Sequence, residues 1–374
     1  MTPAQIRSIP FFDYPHLFLS EQQELTAIFR EVGSRGAFIL QEDLARFERN
    51  LAANLGVKHA LGVANATDGL LLALRATGIG PGDEVIFCSH TMVATAAAIH
   101  FAGAIPVPVE CGDDHLVNPE AVENAVTQRT RAILPTQLNG RTADMHALEG
   151  IADRHGLAIV EDAAQALGSR FHGRAAGSFG AAGVFSFFPA KTLGCLGDGG
   201  AIVTNSDEVY ERVTQLRDHG RGADGEIVSW GLNSRLDNLQ AAILDFRLAS
   251  YSGAIERRRA LAGIYRDRLQ GIASLQLPPG PSDDPQHFDI FQNYEIEAER
   301  RDELRSYLKM HQIGTLLPWG GKAVHQWARL GFAKRLPYTE RLFERVLLLP
   351  LNLSLTDQDV HHVCNTIADF HRLA

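Results

Sequence analysis

The sequence predicts an α/β protein, with a large domain built on a mostly parallel sheet flanked by helices and a smaller α+β domain after it. From residue 60 to residue 204, apolar runs typical of strands alternate with helix-like segments, a pattern that favours parallel strands joined by crossover helices. A proline-rich loop at residues 277–286 then leads into a new strand-and-helix pattern. We therefore expect a large domain over residues 1–248 and a small C-terminal domain over residues 249–374.

Composition and charge limit the possible functions. The chain has 374 residues, of which 45% are hydrophobic and 21% are charged, and this is enough for two domains with a sizeable core. Its formal net charge of −9 argues against binding to nucleic acid, which requires a basic surface. A compact anionic ligand is not excluded, since a few well-placed cations are enough to bind it.

The cysteines and the amino-terminal segment indicate the compartment. Cys88, Cys111, Cys195 and Cys364 are widely spaced and form no Cys-x-x-Cys pair, so neither a disulfide framework nor a zinc site is indicated. The first 20 residues lack a basic segment followed by an apolar one, and no apolar stretch approaches the length of a membrane span. We expect a cytoplasmic protein with no membrane or metal partner.

Two helices are expected ahead of the α/β region. The first covers residues 21–32, and the second covers residues 42–55, where Leu44, Phe47 and Leu51 recur at helical spacing. These three side chains are predicted to lie in the core.

The α/β region contains regular repeating units. Helices are expected at residues 119–127 and 144–155, and strands at residues 131–135 and 157–161. Polar residues follow both strands, and the carboxyl ends of parallel strands meet at the edge of the sheet where such folds bind their ligands.

An anion site is predicted where a short strand ends at Val63 and an apolar helix begins after the turn Asn-Ala-Thr-Asp. We expect Thr67 or Asp68 to cap this helix, whose free N–H groups and positive dipole end attract anions. A capped helix without a ligand explains the same pattern, so on this segment alone both interpretations stay open.

Lys191 is the only cation in the stretch AGVFSFFPAKTLGCLGDGGAIVT, residues 182–204. An apolar run leads into it, and glycine takes four of the nine positions that follow. Small residues allow close approach of a planar ligand, and apolar surroundings lower the pKa of an amine and make it nucleophilic. A surface turn explains the stretch equally well when it is taken alone.

Asp162 favours the interpretation of Lys191 as a nucleophile over that of a surface turn. It ends an apolar strand that begins at Leu157, and Leu157 lies 34 residues before Lys191 in the chain. The end of this strand places Asp162 at the carboxyl edge of the sheet. A lysine that can form a Schiff base and a carboxylate for the ring nitrogen are the two groups that pyridoxal 5′-phosphate requires of a protein. The pair therefore predicts that cofactor.

The segment EDAAQALGSRFHGRAAGSFGAAGVFSFFPAKTLGCLGDGGAIVT resembles the core signature of the DegT/StrS family, and GLNSRLDNLQAAIL further along also fits that family. The resemblance extends over nearly the whole chain. It implies a fold type I aminotransferase scaffold and a homodimer with shared active sites. It also implies the transfer of an amino group from L-glutamate or a similar donor to a keto carbon of a nucleotide-linked deoxysugar.

The resemblance assigns roles to individual residues. Lys191 is expected to bind the cofactor covalently and then to act as general acid and base, while Asp162 keeps the ring nitrogen protonated. Gln165 is expected at the ring edge, and the phosphate is expected near Ala66, Thr67 and Ser186.

Two further cofactor contacts are implied, with some departures from the family pattern. Ala66 stands where members usually have glycine, and Met92 stands where many have an aromatic residue against the ring, a contact that a thioether can also make. Asn233 is expected to reach the cofactor phosphate of the neighbouring subunit. An Asx turn before a helix is the alternative for Asn233.

Substrate contacts are the least defined. Where members often have a Tyr-Pro-x-Pro-x-His segment, this chain inserts Trp-Gly-Gly-Lys, ending at Lys322, before His325. Both Lys322 and His325 are candidates for substrate binding, and an exposed lysine and a hydrogen-bonded histidine without a substrate role are the alternative. Thr136, Gln137 and Asn139 beyond a strand end are further candidates, and polar residues that only solvate a turn are the alternative. Glu161 is expected to point away from the site, because successive strand residues alternate between faces.

Two alternatives to an aminotransferase are possible for a chain of this type. A related subclass of sugar dehydratases uses pyridoxamine phosphate and has histidine in place of the lysine, and Lys191 argues against it. A regulator that keeps the fold without the chemistry would not need Asp162, Gln165, Ser186 and Lys191 together.

Overall fold

The structure, a computed structural model, describes residues 8–372, and within these residues no helix is long and apolar enough to cross a membrane. The helices are α1 (Tyr14–Leu19), α2 (Gln22–Arg35), α3 (Glu42–Leu55), α4 (Ala66–Ala76), α5 (Val93–Phe101), α6 (Pro119–Glu123), α7 (Met145–His155), α8 (Asp207–Leu216), α9 (Asn238–Leu248), α10 (Tyr251–Leu269), α11 (Arg301–Met310), α12 (Pro337–Arg345) and α13 (Asp357–Arg372). The strands are β1 (His59–Val63), β2 (Glu84–Cys88), β3 (Ile105–Val109), β4 (Thr130–Leu134), β5 (Ala158–Asp162), β6 (Arg170–Phe171), β7 (Arg174–Ala175), β8 (Ala182–Ser186), β9 (Gly200–Thr204), β10 (Leu275–Gln276), β11 (His287–Phe288), β12 (Tyr294–Ala298) and β13 (Val346–Leu349).

Within residues 8–372, the central sheet has seven strands in the order β1-β9-β8-β5-β4-β2-β3. The strands from β8 to β3 pair in parallel, whereas β9 is antiparallel to both of its neighbours, β1 and β8. The predicted mostly parallel sheet is therefore confirmed. Every strand of this sheet except β9 ends at the same edge, and that edge positions the site described below.

Helices cover both faces of this sheet. Val184 and Ile202 belong to a buried apolar cluster that includes residues of α4, whereas their neighbours Phe185 and Val203 belong to another that includes residues of α3 and α9. Successive strand residues point to opposite faces, so each cluster marks one face. Because both faces are buried, the strands have nearly continuous apolar sequences rather than alternating ones.

The C-terminal part forms a smaller α+β unit. Strands β10, β12 and β13 make an antiparallel sheet, and a third apolar cluster joins them to α10, α11 and α13. Ile9, from the amino-terminal segment, also packs into this cluster. The α+β character matches the prediction, while the division of the chain at residue 248 stays a prediction.

Two predicted helix boundaries differ from those in the structure. Helix α2 continues to Arg35, where Gly36 ends it in the left-handed conformation at φ 61°. Helix α6 is shorter than the predicted 119–127 and ends at Glu123. The reason is local competition, because the Thr127 N–H donates to the Thr130 hydroxyl at 2.9 Å and forms a turn instead of a further helical turn.

Candidate active site

A cavity of about 400 Å³ lies at the edge of the sheet where the parallel strands end. Asp162 and Ser186 are the last residues of β5 and β8, and helix α4 begins three residues after the end of β1. The cavity is lined by seven of the residues that the sequence predicted: Ala66, Thr67, Met92, Asp162, Gln165, Ser186 and Lys191.

Asp162 is almost fully buried, with 4% of its surface exposed. Its Oδ2 accepts a hydrogen bond from the Thr95 hydroxyl at 2.7 Å, and its Oδ1 accepts one from the Ala164 N–H at 3.2 Å. Burial raises the pKa of Asp162, while these hydrogen bonds and the charge of Lys191 act in the opposite direction. Asp162 therefore needs these hydrogen-bond donors to remain ionised.

Lys191 lies in the loop between β8 and β9, where its N–H donates to the Phe188 carbonyl at 2.8 Å and closes a turn. The side chain is half-buried at the cavity. Desolvation lowers the pKa of Lys191 to about 8, with the charge of Asp162 opposing the shift. At such a pKa a substantial fraction of the amine is neutral near physiological pH, as a nucleophile requires.

The amino end of α4, where the sequence predicts an anion site, lines the cavity. Asn65, rather than the predicted Thr67 or Asp68, caps the helix, because Asn65 has an extended backbone and its Oδ1 accepts from the Asp68 N–H at 2.9 Å. Thr67 is left with its hydroxyl available at the cavity. Glycine is required at position 200, since a Cβ there would lie 2.8 Å from the Ala66 nitrogen.

Gln165 is fixed by a backbone donor. Its Oε1 accepts from the Asn139 N–H at 2.8 Å, which leaves the amide nitrogen of Gln165 as the group that can donate to a ligand. Asn139 has a left-handed backbone at φ 56°, a conformation that asparagine tolerates well. Both side chains line the cavity, and so does Thr136.

A chain of buried hydroxyls behind Asp162 was not predicted. Thr136 and Thr91 are 2.9 Å apart, Thr91 and Thr95 are 2.8 Å apart, and Thr95 donates to Asp162. A hydroxyl has one proton, so an ionised Asp162 orders the chain: Thr136 donates to Thr91 and Thr91 donates to Thr95. The spacing of Thr91 and Thr95 after a strand end is the signal that would have identified them.

Glu161 faces away from the cavity, as expected. It is fully buried and accepts hydrogen bonds from Gln137 Nε2 at 2.7 Å and from the N–H groups of Gly177 and Phe179 at 2.8 and 2.6 Å. Burial raises the pKa of Glu161, and the hydrogen bonds oppose this effect. Glu161 therefore anchors the turn before β8.

Four predicted site residues do not line the cavity, and one of them is Gln137, whose buried amide is hydrogen-bonded to Glu161 instead. Asn233 is exposed, His325 is buried with its Nδ1 2.7 Å from the Ser89 hydroxyl, and Lys322 is exposed with its amine 5.2 Å from the centre of the Trp327 ring. For Lys322 and His325 this placement does not favour contact with a substrate in the cavity of their own chain.

The wall opposite the sheet comes from distant parts of the chain. Phe11 and Phe12 precede the first helix, whereas Leu316, Leu317 and Trp319 follow α11. The Asn352 side chain donates to the carbonyls of Pro10 and Phe11, both at 3.1 Å, and so holds the amino-terminal segment against the C-terminal part. These residues carry no local sequence signal for a site.

Comparison with known proteins agrees with this geometry. A dTDP-3-amino-3,4,6-trideoxy-alpha-D-glucose transaminase from Streptomyces venezuelae is 42% identical over 372 residues, covering 98% of this chain and 97% of that protein. The crystal structure of S. venezuelae DesV in complex with a ketimine intermediate matches with a TM-score of 0.93 at 42% identity, over 97% of this chain and 98% of that chain.

A structure of NtdA from Bacillus subtilis, with bound cofactor PMP, matches with a TM-score of 0.89 at 27% identity, over 100% of this chain and 87% of that chain. These matches confirm the predicted fold class. The profile of the DegT/DnrJ/EryC1/StrS aminotransferase family matches residues 19–368. The chain therefore belongs to the DegT/DnrJ/EryC1/StrS aminotransferase family.

Proposed function

We propose that this protein is a pyridoxal 5′-phosphate-dependent aminotransferase that transfers an amino group from L-glutamate or a similar donor to a keto carbon of a nucleotide-linked deoxysugar. The observation that carries the proposal is the convergence of Lys191, Asp162 and the amino end of α4 on one cavity. The activity of the relatives described above supports the substrate class.

The residues at the cavity fit pyridoxal 5′-phosphate. The amine of Lys191 has a lowered pKa, Asp162 supplies a buried carboxylate for the ring nitrogen, and Gln165 supplies an amide donor. The N–H groups at the start of α4, together with Thr67 and Ser186, provide donors for a phosphate. When bound, this cofactor supplies an electron sink for the carbon that carries the amino group.

The chain's own residues then have distinct tasks. Lys191 would hold the cofactor covalently, and its Nζ would carry the proton of the reacting carbon as general base and acid. Its pKa of about 8 is close to the working pH, which suits both directions of transfer. Asp162 keeps the proton on the ring nitrogen by remaining ionised.

The apolar wall supports a substrate with few hydroxyl groups. Phe11, Phe12, Leu316 and Leu317 offer no side-chain hydrogen bonds to a sugar, so each hydroxyl placed against them would lose its water without compensation. A deoxysugar avoids this cost.

We also propose a homodimer whose sites are shared. Asn233 is exposed in its own chain, in a segment with Ile227, Val228 and Trp230 exposed by 59%, 57% and 95%, a degree of apolar exposure that favours contact with a second copy. Asn233 would then reach the phosphate end of the partner's cavity, and a two-fold axis would create two equivalent sites.

We place the protein in the cytoplasm. The four cysteines support this location, since all of them are buried with free thiols.

The activity is tested by following the visible absorbance of the cofactor bound to Lys191. Glutamate should convert the loaded protein to its amino form, and a suitable nucleotide-linked keto-sugar should restore the original spectrum. Lys191→Ala should fold normally and show neither the spectrum nor turnover, because the amine is the nucleophile. Turnover of this variant near the parent rate contradicts the proposal.

The shared site is tested by mixing Lys191→Ala protein with Asn233→Asp protein, whose added carboxylate should repel the phosphate. If sites are shared, a mixed dimer carries both lesions in one site and leaves the other intact. Recovered activity after subunit exchange supports sharing. No recovery despite verified exchange would place Asn233 in its own chain's site or outside it.

A further inference from the structure

Gln292 holds the backbone on both sides of Lys191. Its Nε2 donates to the Ala190 carbonyl at 2.8 Å, and its Oε1 accepts from the Thr192 N–H at 2.8 Å. One side-chain amide thus forms hydrogen bonds with the residues immediately before and after the reactive lysine. Gln292 itself is buried, with 5% of its surface exposed, and lines the same cavity.

The segment that carries Gln292 is held firmly. Phe291 has a left-handed backbone at φ 52°, an unfavourable conformation for a bulky residue that persists only where the surroundings fix it. The buried Arg258 donates to the carbonyls of Phe291, Gln292 and Leu351 at 3.1, 3.2 and 2.9 Å. Gly140 packs so closely that a Cβ there would lie 2.6 Å from the Gln292 nitrogen.

We propose that Gln292 is a positioning residue for Lys191. It fixes the backbone on both sides of the Lys191 Cα, and so the direction in which the lysine amine meets the cofactor. The inference rests on the proposed function, since it concerns the same lysine. Gln292 acts through the backbone and carries no charge, so it orients the amine without stabilising its protonated form. Asp162, by contrast, raises the pKa of Lys191 through its charge.

Positioning is needed because the loop is rich in small residues. Glycines at positions 194, 197, 199 and 200 give the chain after Lys191 more backbone freedom than other residues would allow. A lysine side chain is long, so a small rotation at its backbone displaces the amine by a large distance. Misplacement of a reacting group by about 1 Å costs on the order of 10²-fold in rate.

The same loop provides a matched control. Gln240, from α9, also forms two hydrogen bonds with the backbone of this loop. It accepts from the Leu196 N–H at 2.9 Å and donates to the Leu196 carbonyl at 3.3 Å. Leu196 lies five residues beyond Lys191. Gln240 is more exposed than Gln292, so the two variants are compared through their melting temperatures. A merely structural role of Gln292 predicts a slower rate only where the melting temperature falls, whereas positioning predicts a slower rate in a Gln292→Met protein that melts near the parent.

The experiment measures the rate at which apo-protein binds added pyridoxal 5′-phosphate covalently, followed by visible absorbance and confirmed at Lys191 by borohydride reduction and peptide mass spectrometry. The melting temperature of each apo-protein and kcat with a competent substrate are measured in parallel. Gln292→Met should slow covalent bonding and lower kcat by about 10- to 100-fold. Gln240→Met should change each by less than about twofold, since its hydrogen bonds hold Leu196 and not the residues next to Lys191.

Equal rates in Gln292→Met, Gln240→Met and the parent protein would overturn the inference. If Gln292→Met does not fold, Gln292→Glu replaces it in the test. This variant keeps the acceptor for the Thr192 N–H but loses the donor to the Ala190 carbonyl, so it should also bond the cofactor more slowly than the parent. Rates equal to those of the parent would overturn the inference. Failure of the proposed function gives a different result, because the parent protein itself would then form no covalent bond at Lys191.

Discussion

The hydrogen bond from Thr95 to Asp162 provides a sharp test of how the site controls charge. Thr95→Val keeps the shape of the side chain and removes the hydroxyl that donates to Oδ2 at 2.7 Å. A hydrogen bond to a charged group contributes about 1.5–3 kcal/mol, and one pKa unit corresponds to about 1.4 kcal/mol. The pKa of Asp162, already raised by burial, should therefore rise by about a further 1–2 units.

Activity should follow this shift. The proposed role of Asp162 requires its ionised form, so the acidic limb of the pH profile of kcat/KM should move to higher pH by about 1–2 units in Thr95→Val. Thr95→Ser retains a hydroxyl and serves as the matched control, in which the limb should stay in place. An unchanged acidic limb in a folded Thr95→Val protein would refute the reasoning.

Stability gives a second measurement of the same hydrogen bond. The folded pKa of Asp162 lies above its ordinary value of 3.8, so the folded protein binds the proton more tightly and loses stability as the pH rises from 3.8 through the folded pKa. Thr95→Val should deepen this loss and reduce the free energy of unfolding by about 1.5–3 kcal/mol at neutral pH. Below the ordinary pKa, where Asp162 is protonated in both states, most of the difference should disappear.

Three further outcomes are expected. Asp162→Asn should still bind the cofactor but lose about 10²-fold or more in kcat, and parent-like protonation of the ring nitrogen in its spectrum would show that Asp162 is misassigned. Covalent bonding of the cofactor to Lys191 should accelerate as the pH rises through about 8, whereas a midpoint near 10.5 would contradict its desolvation. Glu161→Gln should lower the free energy of unfolding measured in urea by about 1–3 kcal/mol, because the NH₂ group of the amide then faces N–H donors that the carboxylate accepted. Glu149 forms an exposed ion pair with Arg174, so Glu149→Gln should change this free energy by less than about 1 kcal/mol.

The groups at the centre of the site could be predicted because each is adjacent to a strand end. Asp162 and Ser186 close parallel strands, and Lys191 follows one of those strands by a single turn. In an open parallel sheet these ends meet at one edge, whatever the details of packing. Local sequence therefore contained enough information to bring these residues together.

The capping residue of α4 could not be predicted from the local sequence. Asn65, Thr67 and Asp68 are all side chains that can cap a helix, so the sequence alone does not select among them. Asn65 has the extended backbone of a cap, and this backbone packs against Gly200, which lies on a strand 135 positions further along the chain. Contacts of this kind are decided by tertiary packing.

Gln292, Phe11 and Phe12 were beyond prediction for a related reason. They enter the site from segments far from Lys191 in the chain and have no motif of their own. The amide of Gln292 reaches Ala190 from 102 positions further along the chain, next to the left-handed backbone at Phe291. A position of this type depends on the balance of many contacts rather than on a pattern of residues.

Burial by itself would make both reactive groups neutral, since it lowers the pKa of Lys191 and raises the pKa of Asp162. Their mutual attraction opposes both shifts, but it acts on the two groups alike and does not select which of them keeps its charge. The Thr95 hydroxyl and the Ala164 N–H both donate to Asp162 and so favour its ionised form alone. Asp162 can thus remain an anion while Lys191 becomes a neutral nucleophile, and this difference arises from the hydrogen bonds around the carboxylate rather than from the distance between the charges.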